Sequence, residues 1–217
     1  MMFNPVDIIL SFVLLSVLFS FGADRVLTLI KLVGFQGVVV SIIPFFIGDH
    51  MSTGGTVFTL ATLVIRGVII PLSIFVAIRK GAIRRVVEPI VGYHASILCG
   101  LAVIIGTTYL SGRLDIGSVS GFKLLEPTAI ALLATGMFLL MARRNAIAMV
   151  IGYIMMENGI YLVGSGLSVS TRHIVEFGIL LDVLAGVMIM MIMAVILRNI
   201  KQTFDDVDTA LLRTLKD

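Results

Sequence analysis

Two acidic residues stand inside strongly apolar runs of this sequence. Asp182 lies within the apolar segment 179–188, and Glu157 lies within the apolar segment that precedes it. A carboxylate at bilayer depth costs about 2–4 kcal/mol or more unless it is neutralised, paired or hydrated, so membrane helices rarely carry one without a use. Two such acids on consecutive helices indicate groups that take up and release protons.

The neighbours of the two acids suit titrating groups. Gly178 and Gly186 flank Asp182 one turn away on either side, and Tyr161 follows Glu157 by one turn. Small residues on the same helix face leave room for water or a neighbouring side chain. Counted along antiparallel helices, both acids lie at a similar depth, so they could share a relay. The alternative is that one or both are hydrogen-bonded ties between helices.

Arg66 is the expected electrostatic partner in this group. It lies near the middle of an apolar segment, five residues before Pro71. A guanidinium cannot lose its proton in practice, so at this depth it must pair with a carboxylate or line a wet cavity. An ion pair that only orients helices is an equally good interpretation. The weaker candidates for proton handling are Lys31, His94, Tyr161 and Glu176.

These residues need a membrane around them, and the composition indicates one. The chain is 59% hydrophobic and only 13% charged, and its mean hydropathy is +1.12. Soluble domains are about 45–50% apolar and about 25% charged. The sequence therefore predicts an all-α integral membrane protein. Seven segments approach the length of about 20 residues that a span needs: 5–22, 26–47, 54–78, 91–111, 125–142, 146–164 and 174–198.

The basic residues predict the orientation of these spans. If the N-terminus is outside, eleven of the sixteen Lys and Arg fall on the cytoplasmic side, three fall outside, and Lys31 and Arg66 lie within spans. This bias follows the positive-inside rule and favours an outer N-terminus with a cytoplasmic C-terminus. The net charge of +3 then belongs to loops that face anionic lipid, and it does not imply a nucleic-acid partner.

The sequence offers no ligand set for a cofactor or metal. Cys99 is the single cysteine, so the chain cannot itself hold an iron–sulfur cluster or a nickel–iron centre. The three histidines are scattered, and no phosphate-binding glycine motif opens a helix. We therefore expect no active site and no cofactor in this chain, and any redox chemistry would belong to another polypeptide.

The C-terminal half carries a recognisable order of motifs. Arg143-Arg-Asn145 ends one span, Gly152-Tyr-Ile-Met-Met-Glu-Asn-Gly159 occupies the next, and Asp182-x-x-x-Gly186 lies in the last, before a tail with Asp-Val-Asp. In this order the chain resembles hydrogenase-4 component E. Its last three spans, about 125–200, are also similar to subunit K (4L type) of respiratory complex I and to the C-type subunit of multisubunit cation/proton antiporters.

The resemblance implies a membrane-arm subunit of a group 4 nickel–iron hydrogenase or formate-hydrogenlyase-type complex in the cytoplasmic membrane of a prokaryote. Its partners would be antiporter-like membrane subunits and peripheral nickel–iron and iron–sulfur subunits. In subunit K both intramembrane acids are glutamates. The second matches Asp182, whereas the first position falls on Ile154, three residues before Glu157. This difference is about one turn, or 4.5 Å along the axis.

The predicted organisation has three parts: a three-helix segment 1–88, a four-helix segment 89–200 and a cytoplasmic tail 201–217. The first functional hypothesis is a non-catalytic subunit that helps to couple electron transfer to the translocation of protons or sodium ions. One alternative is a subunit of a cation/proton antiporter without a redox partner. The other is a purely structural membrane anchor, in which the acids only hold helices together.

Overall fold

The described part of this computed structural model is helical throughout. It comprises residues 4–47, 53–80, 92–113, 122–143 and 146–166. The elements are α1 (Pro5–Phe21), α2 (Val26–Ile47), α3 (Thr53–Val64), a π-helical turn (Ile65–Ile69), α4 (Ile70–Lys80), α5 (Tyr93–Ser111), α6 (Leu125–Ala142) and α7 (Ala146–Gly166). The seventh predicted span, 174–198, and the tail 201–217 lie outside the described residues, as do Glu176 and Asp182.

The helices have the length and composition of membrane spans. Within the described ranges, four helices are long and apolar enough to cross a bilayer, and two shorter apolar helices accompany them. The four are Val26–Phe46, Tyr93–Ser111, Leu125–Ala142 and Ile147–Gly166; the shorter ones are Pro5–Phe21 and Thr59–Phe75. The chain is thus a multi-pass membrane protein. Its division into segments 1–88 and 89–200 and its orientation remain predictions.

The third predicted span differs from a regular α-helix. Ile65–Ile69 forms a π-helical turn, closed by a hydrogen bond from the Ile70 N–H to the Ile65 carbonyl. Pro71 follows at once; it has no N–H, and its ring would crowd the carbonyl of Gly67 in a regular helix. The wider π turn accommodates this, and such turns are frequent at functional sites. Arg66 belongs to this turn.

The contacts at the helix ends give the direction of the helices. At one end, the Leu124 N–H donates to Asp7 Oδ1 at 3.1 Å. At the other, the rings of Phe21 and Phe138 lie 4.7 Å apart. Helices α1 and α6 are therefore parallel, with a constant offset of 117 residues. We call the end of the bundle where α1 and α6 begin the Asp7 end. The opposite end, where both helices finish, is called the Arg143 end, because Arg143 directly follows α6.

Glycines set the spacing between α6 and α7, which run antiparallel. A Cβ atom added at Gly136 would lie 2.5 Å from the Gly152 carbonyl oxygen, and one added at Gly159 would lie 2.8 Å from the Ala129 carbonyl oxygen. The two backbones therefore touch. Such close approach is how helices associate in lipid, where no hydrophobic force drives them together.

Candidate functional site

The site centres on the guanidinium of Arg66, which reaches from the π turn to α7. Arg66 Nη2 donates to Glu157 Oε1 at 2.7 Å and forms an ion pair with it. Arg66 Nη1 donates to Asn158 Oδ1 at 2.8 Å. Arg66 is 2% exposed and Glu157 is 4% exposed. A planar fork with fixed donors suits two neighbouring acceptors in this way.

Helix α7 supplies a third contact one turn after the acid. The Cζ atom of Arg66 lies 4.8 Å from the centroid of the Tyr161 ring. At this distance the ring face attracts the cation, with more effect when both are removed from water. Glu157, Asn158 and Tyr161 thus surround the guanidinium from a single helix, because residues one turn apart lie on the same side.

The pair lies near the middle of the helix. Glu157 is about 16 Å from Ala146 and about 14 Å from Gly166 along α7, at 1.5 Å per residue. The hydrocarbon core is about 30 Å thick, so a helix that crosses it would hold Glu157 close to its centre. Arg66 stands at the same level through its bond to Glu157. The geometry therefore puts two opposite charges at the depth where charge is least favourable.

The α2 backbone supports the π turn that carries Arg66. A Cβ added at Gly37 would lie 2.8 Å from the Arg66 carbonyl oxygen, and one added at Gly67 would lie 2.6 Å from Val38 Cγ2. Pro71 also lies against α2, 3.2 Å from a Cβ position at Gly34. Any larger side chain at Gly37 would displace the Arg66 backbone, so the glycine is part of what positions the guanidinium.

The arrangement permits two kinds of chemistry. Two buried charges in close contact can be a permanent tie, whose attraction offsets the cost of removing both from water. They can also be a proton site, in which Glu157 accepts a proton and the ion pair is lost. Asn158 matters for the second case, because its neutral amide oxygen holds Arg66 whether or not Glu157 is charged.

The other sequence candidates are placed differently. Tyr161 joins the Arg66 site. Lys31 is exposed on α2, and His94 is exposed in the first turn of α5, edge-on to Tyr93 at 5.6 Å between ring centroids. For His94 the sequence favours a packing role over proton handling, whereas the structure leaves its side chain exposed. Its position one turn into the span leaves it on the outer face of a helix whose residues are largely exposed.

Some site residues were not identified as candidates from the sequence. Asn158 was not among the sequence candidates, although it directly follows Glu157. The available signal was an uncharged amide in an apolar run, which is weaker than a charge. The sequence predicts that Arg66 pairs with a carboxylate or lines a wet cavity, and the structure shows a pair with Glu157, 91 positions away. The relay role of both residues stays a prediction.

A second buried arginine has a different environment. Arg143 Nη2 donates to the Phe21 carbonyl at 2.9 Å, at the C-terminal end of α1. A cation there satisfies a carbonyl left open at the helix end. Burial lowers the pKa of Arg143, and the negative charge of Asp24 partly opposes this. Arg143 therefore ties α6 to α1 at one end of the bundle.

No metal site accompanies these groups in the described ranges. There, no three His, Cys, Asp or Glu residues lie close enough together to hold a metal ion. Cys99 is a free thiol on the exposed side of α5.

Comparisons with known proteins support the predicted resemblance of the C-terminal part to a complex I subunit. Residues 124–217 match the family NADH-ubiquinone/plastoquinone oxidoreductase chain 4L. The C-terminal part of this chain is thus similar to chain 4L. Glu157, Asn158 and Tyr161 lie within the matched segment, whereas Arg66 lies outside it. The match begins at the N-terminus of α6, so the ion pair joins the chain 4L-like segment to the helices that precede it.

One similar protein spans almost the whole chain. It is the uncharacterized protein Rv0085 of Mycobacterium tuberculosis, 27% identical over 208 residues, which are 94% of this chain and 92% of that protein. The aligned region therefore includes both the N-terminal helices and the chain 4L-like segment of this chain. No solved structure matches this chain.

Proposed function

We propose that this chain is a non-catalytic membrane-arm subunit of a hydrogenase-4 or formate-hydrogenlyase-type complex, in which electron transfer is coupled to the translocation of protons or sodium ions. The observation that carries the proposal is the Arg66–Glu157 pair, buried at mid-span depth between the N-terminal helices and the segment similar to chain 4L. Such charges are costly and are a mark of ion pathways in membrane proteins.

In this proposal Glu157 is the protonatable group and Arg66 is its counter-charge. When Glu157 accepts a proton, a carboxylic acid replaces the carboxylate and the charge–charge attraction with Arg66 ends. Asn158 and the Tyr161 ring then keep the guanidinium in place. When the proton leaves, the ion pair forms again without a large movement. Asp182, which lies outside the described residues, is the proposed second protonatable group.

We further propose seven spans, an outer N-terminus and a cytoplasmic C-terminus, in the cytoplasmic membrane of a prokaryote. The partners are antiporter-like membrane subunits, with peripheral subunits that hold the nickel–iron and iron–sulfur centres. The N-terminal helices favour a hydrogenase-type complex over an antiporter. The similar subunits of antiporters and of complex I correspond only to the last three spans of this chain.

The close geometry of the ion pair favours a second candidate function, a purely structural anchor. A guanidinium held by two hydrogen bonds and an aromatic ring is well suited to tie helices together. In that case the pair would stabilise the bundle and would not exchange protons during turnover.

The test of the proposed function is isolation of the native complex through a tag on this chain, followed by identification of the subunits that co-purify. We expect a nickel–iron large subunit, iron–sulfur subunits and antiporter-like membrane subunits. Recovery of antiporter subunits without any nickel–iron subunit would contradict the hydrogenase assignment. Recovery of the chain with no other subunit would contradict both complexes.

A further inference from the structure

Helix α3 carries buried hydroxyl groups on the face that leads to the ion pair. Thr59 and Thr62 are 3% and 5% exposed. They precede Arg66 by seven and four residues, so they lie on the same side of the helix, about 10 Å and 6 Å from it along the axis. The opposite face is apolar and exposed, as Val57 and Leu60 show. The helix therefore turns its hydroxyls towards the bundle and its apolar side chains outward.

Both threonines lie on the Asp7 side of the ion pair. Helix α2 begins where α1 ends and packs back along it, so α2 runs towards the Asp7 end. Gly34 of α2 lies against Pro71, and Gly37 lies against Arg66. Residue numbers therefore fall along the third span as they rise along α2. The residues that precede Arg66 are those closer to the Asp7 end.

Helix α2 adds a buried hydroxyl at the level of Thr62. Ser41 is buried, and its Oγ donates to the Gly37 carbonyl at 2.7 Å. Gly37 lies against the Arg66 carbonyl. One turn further towards the Asp7 end, the antiparallel helices thus bring Ser41 of α2 level with Thr62 of α3. The Ser41 hydroxyl has used its one proton, and its oxygen can still accept a hydrogen bond.

Helix α7 adds another buried hydroxyl on the same side of the pair. Because α7 is antiparallel to α6, its residue numbers rise towards the Asp7 end. Ser165 is buried and donates to the Leu162 carbonyl at 2.8 Å. It follows Asn158 by seven residues, or about 10 Å, and lies on the same side of α7. Ser165 is therefore about as far from the Arg66–Asn158 bond as Thr59 is.

The same helices are more apolar on the Arg143 side of the pair. The buried side chains there include Ile70 and Ile74 of α4 and Ile154 of α7. Ser73 is half-buried and donates to the Ile70 carbonyl at 2.7 Å. Tyr153 is half-buried and packs against the apolar core. In the described parts of α3, α4 and α7, the hydroxyls that are fully buried along this face thus lie towards the Asp7 end.

Two buried donors at the level of the ion pair have no hydrogen-bond partner among the described residues. They are Arg66 Nε and Asn158 Nδ2. The two need separate acceptors, because Asn158 binds Nη1 and the Nε–H points to the other side of the guanidinium. Buried polar groups without a protein partner commonly bind ordered water. The ion pair thus has unfilled positions for water at the point that the hydroxyls lead to.

We propose that the hydroxyls of Thr59, Thr62, Ser41 and Ser165 line a water-filled path from the Asp7 end of the bundle to Glu157. We call it the hydroxyl path. Its water binds to hydroxyl oxygens at two levels and then reaches the ion pair. Because the face beyond the pair is apolar, the carboxyl group exchanges protons with the Asp7 side in this conformation. Use of the path for translocation rests on the proposed function, whereas the entry of water does not.

The test is the reaction of single cysteines with Ag⁺, a small cation that follows water and is excluded from hydrocarbon. Thr59→Cys, Thr62→Cys and Ser165→Cys are each made in a Cys99→Ser background, in sealed membrane vesicles that retain the native complex. Ag⁺ is added on the side from which a Gly112→Cys variant reacts, because Gly112 follows α5 at the Asp7 end. Thiols that remain free are labelled with a maleimide after unfolding. We expect all three cysteines of the path to be blocked.

Two matched controls lie on the same span. Leu60→Cys is on the outward face of α3, where the native side chain is 51% exposed, and Ile74→Cys is buried on the Arg143 side. We expect both to be blocked at least about tenfold more slowly than Thr62→Cys, because neither is reached through water.

The rates decide between a path and ordinary packing. Blocking of Thr59→Cys and Thr62→Cys no faster than that of Leu60→Cys would overturn the hydroxyl path. Blocking of Ile74→Cys as fast as Thr62→Cys would overturn its one-sided character. If Thr62→Cys does not accumulate, Thr59→Cys and Ser165→Cys decide the question by the same comparison. The readout does not depend on turnover or on the partner subunits, so a failure here leaves the proposed function to its own test.

Discussion

At the scale of single residues, the chemistry of the site depends on having an arginine and a carboxylate together with a neutral amide. The guanidinium has two acceptors from adjacent residues of α7, Glu157 and Asn158. A lysine at position 66 would present a single charged nitrogen without the planar fork. Because Asn158 is neutral, its hydrogen bond to Arg66 does not depend on the charge of Glu157.

We expect the Arg66–Glu157 pair to show strong energetic coupling. Arg66→Met leaves a buried acid without its cation, and removing one partner of a buried pair costs about 3–5 kcal/mol. The double variant Arg66→Met with Glu157→Leu removes both charges and should recover most of this. Unfolding free energies in mixed micelles measure the coupling. Additive effects of the two single changes would show that the pair makes no stabilising contact.

Asp182 gives a prediction for the second acid. Because it stands in an apolar run between Gly178 and Gly186, Asp182→Asn should lower proton-coupled turnover while the complex still assembles. The amide is nearly isosteric but cannot carry the proton. Proton translocation is measured in vesicles with the assembled variant complex. Translocation equal to that of the unmodified complex would remove Asp182 from the relay.

The sequence predicted these residues unevenly, for a physical reason. Charges at bilayer depth are so costly that Arg66 and Glu157 could be identified from hydropathy and position alone. Which acid faces Arg66, and that Asn158 shares it, depends on the rotation of helices far apart in sequence. Asn158 is uncharged, so hydropathy and position alone gave little reason to select it.

At the scale of secondary-structure elements, close contacts between helix backbones fix where the side chains of the site lie. The sequence predicted a span over 54–78, and the structure is helical over 53–80 but divides this helix into α3, a π turn and α4. Hydropathy records how apolar a segment is and is insensitive to the size of a turn. Pro71 was the one local signal, since it removes a backbone donor. Among the described helices, α1, α2, α5, α6 and α7 lie close to the predicted segments, because apolar length decides them. The predicted span 174–198 lies outside the described residues.

The contact between α6 and α7 gives an element-scale prediction. Gly136→Ala would place a Cβ 2.5 Å from the Gly152 carbonyl oxygen, and such overpacking costs about 1–3 kcal/mol. The helices should separate slightly and the free energy of unfolding should fall. The matched control is Gly106→Ala in α5, where a Cβ meets nothing within 4 Å; it should be neutral or slightly stabilising. Equal effects of the two variants would contradict backbone contact.

At the scale of the whole molecule, the bundle joins an N-terminal group of helices to a segment similar to chain 4L. The ion pair crosses between them at mid-span, and Arg143 connects them at one end through the Phe21 carbonyl. The N-terminal helices thus supply the counter-charge for an acid in the chain 4L-like segment. The contact between the N-terminal helices and the chain 4L-like segment could not be predicted from the sequence, because hydropathy does not indicate which helices are neighbours.

Orientation gives the prediction at this scale. Gly112 follows α5 at the Asp7 end, and Asp24 lies between α1 and α2 at the Arg143 end; both are exposed. In a Cys99→Ser background, Gly112→Cys should react with a membrane-impermeant thiol reagent added outside intact cells. Asp24→Cys should react only after the membrane is opened, as the positive-inside rule requires. The opposite pattern would reverse the proposed topology.

The most direct test of the account asks whether the pair moves protons or only ties helices. In the double variant Arg66→Gln with Glu157→Gln, amides can keep a hydrogen bond across the same gap, but neither substituted side chain can titrate. We measure protons translocated per electron transferred in the assembled complex. The account predicts intact assembly with a ratio reduced several-fold, and a ratio equal to that of the unmodified complex would contradict it.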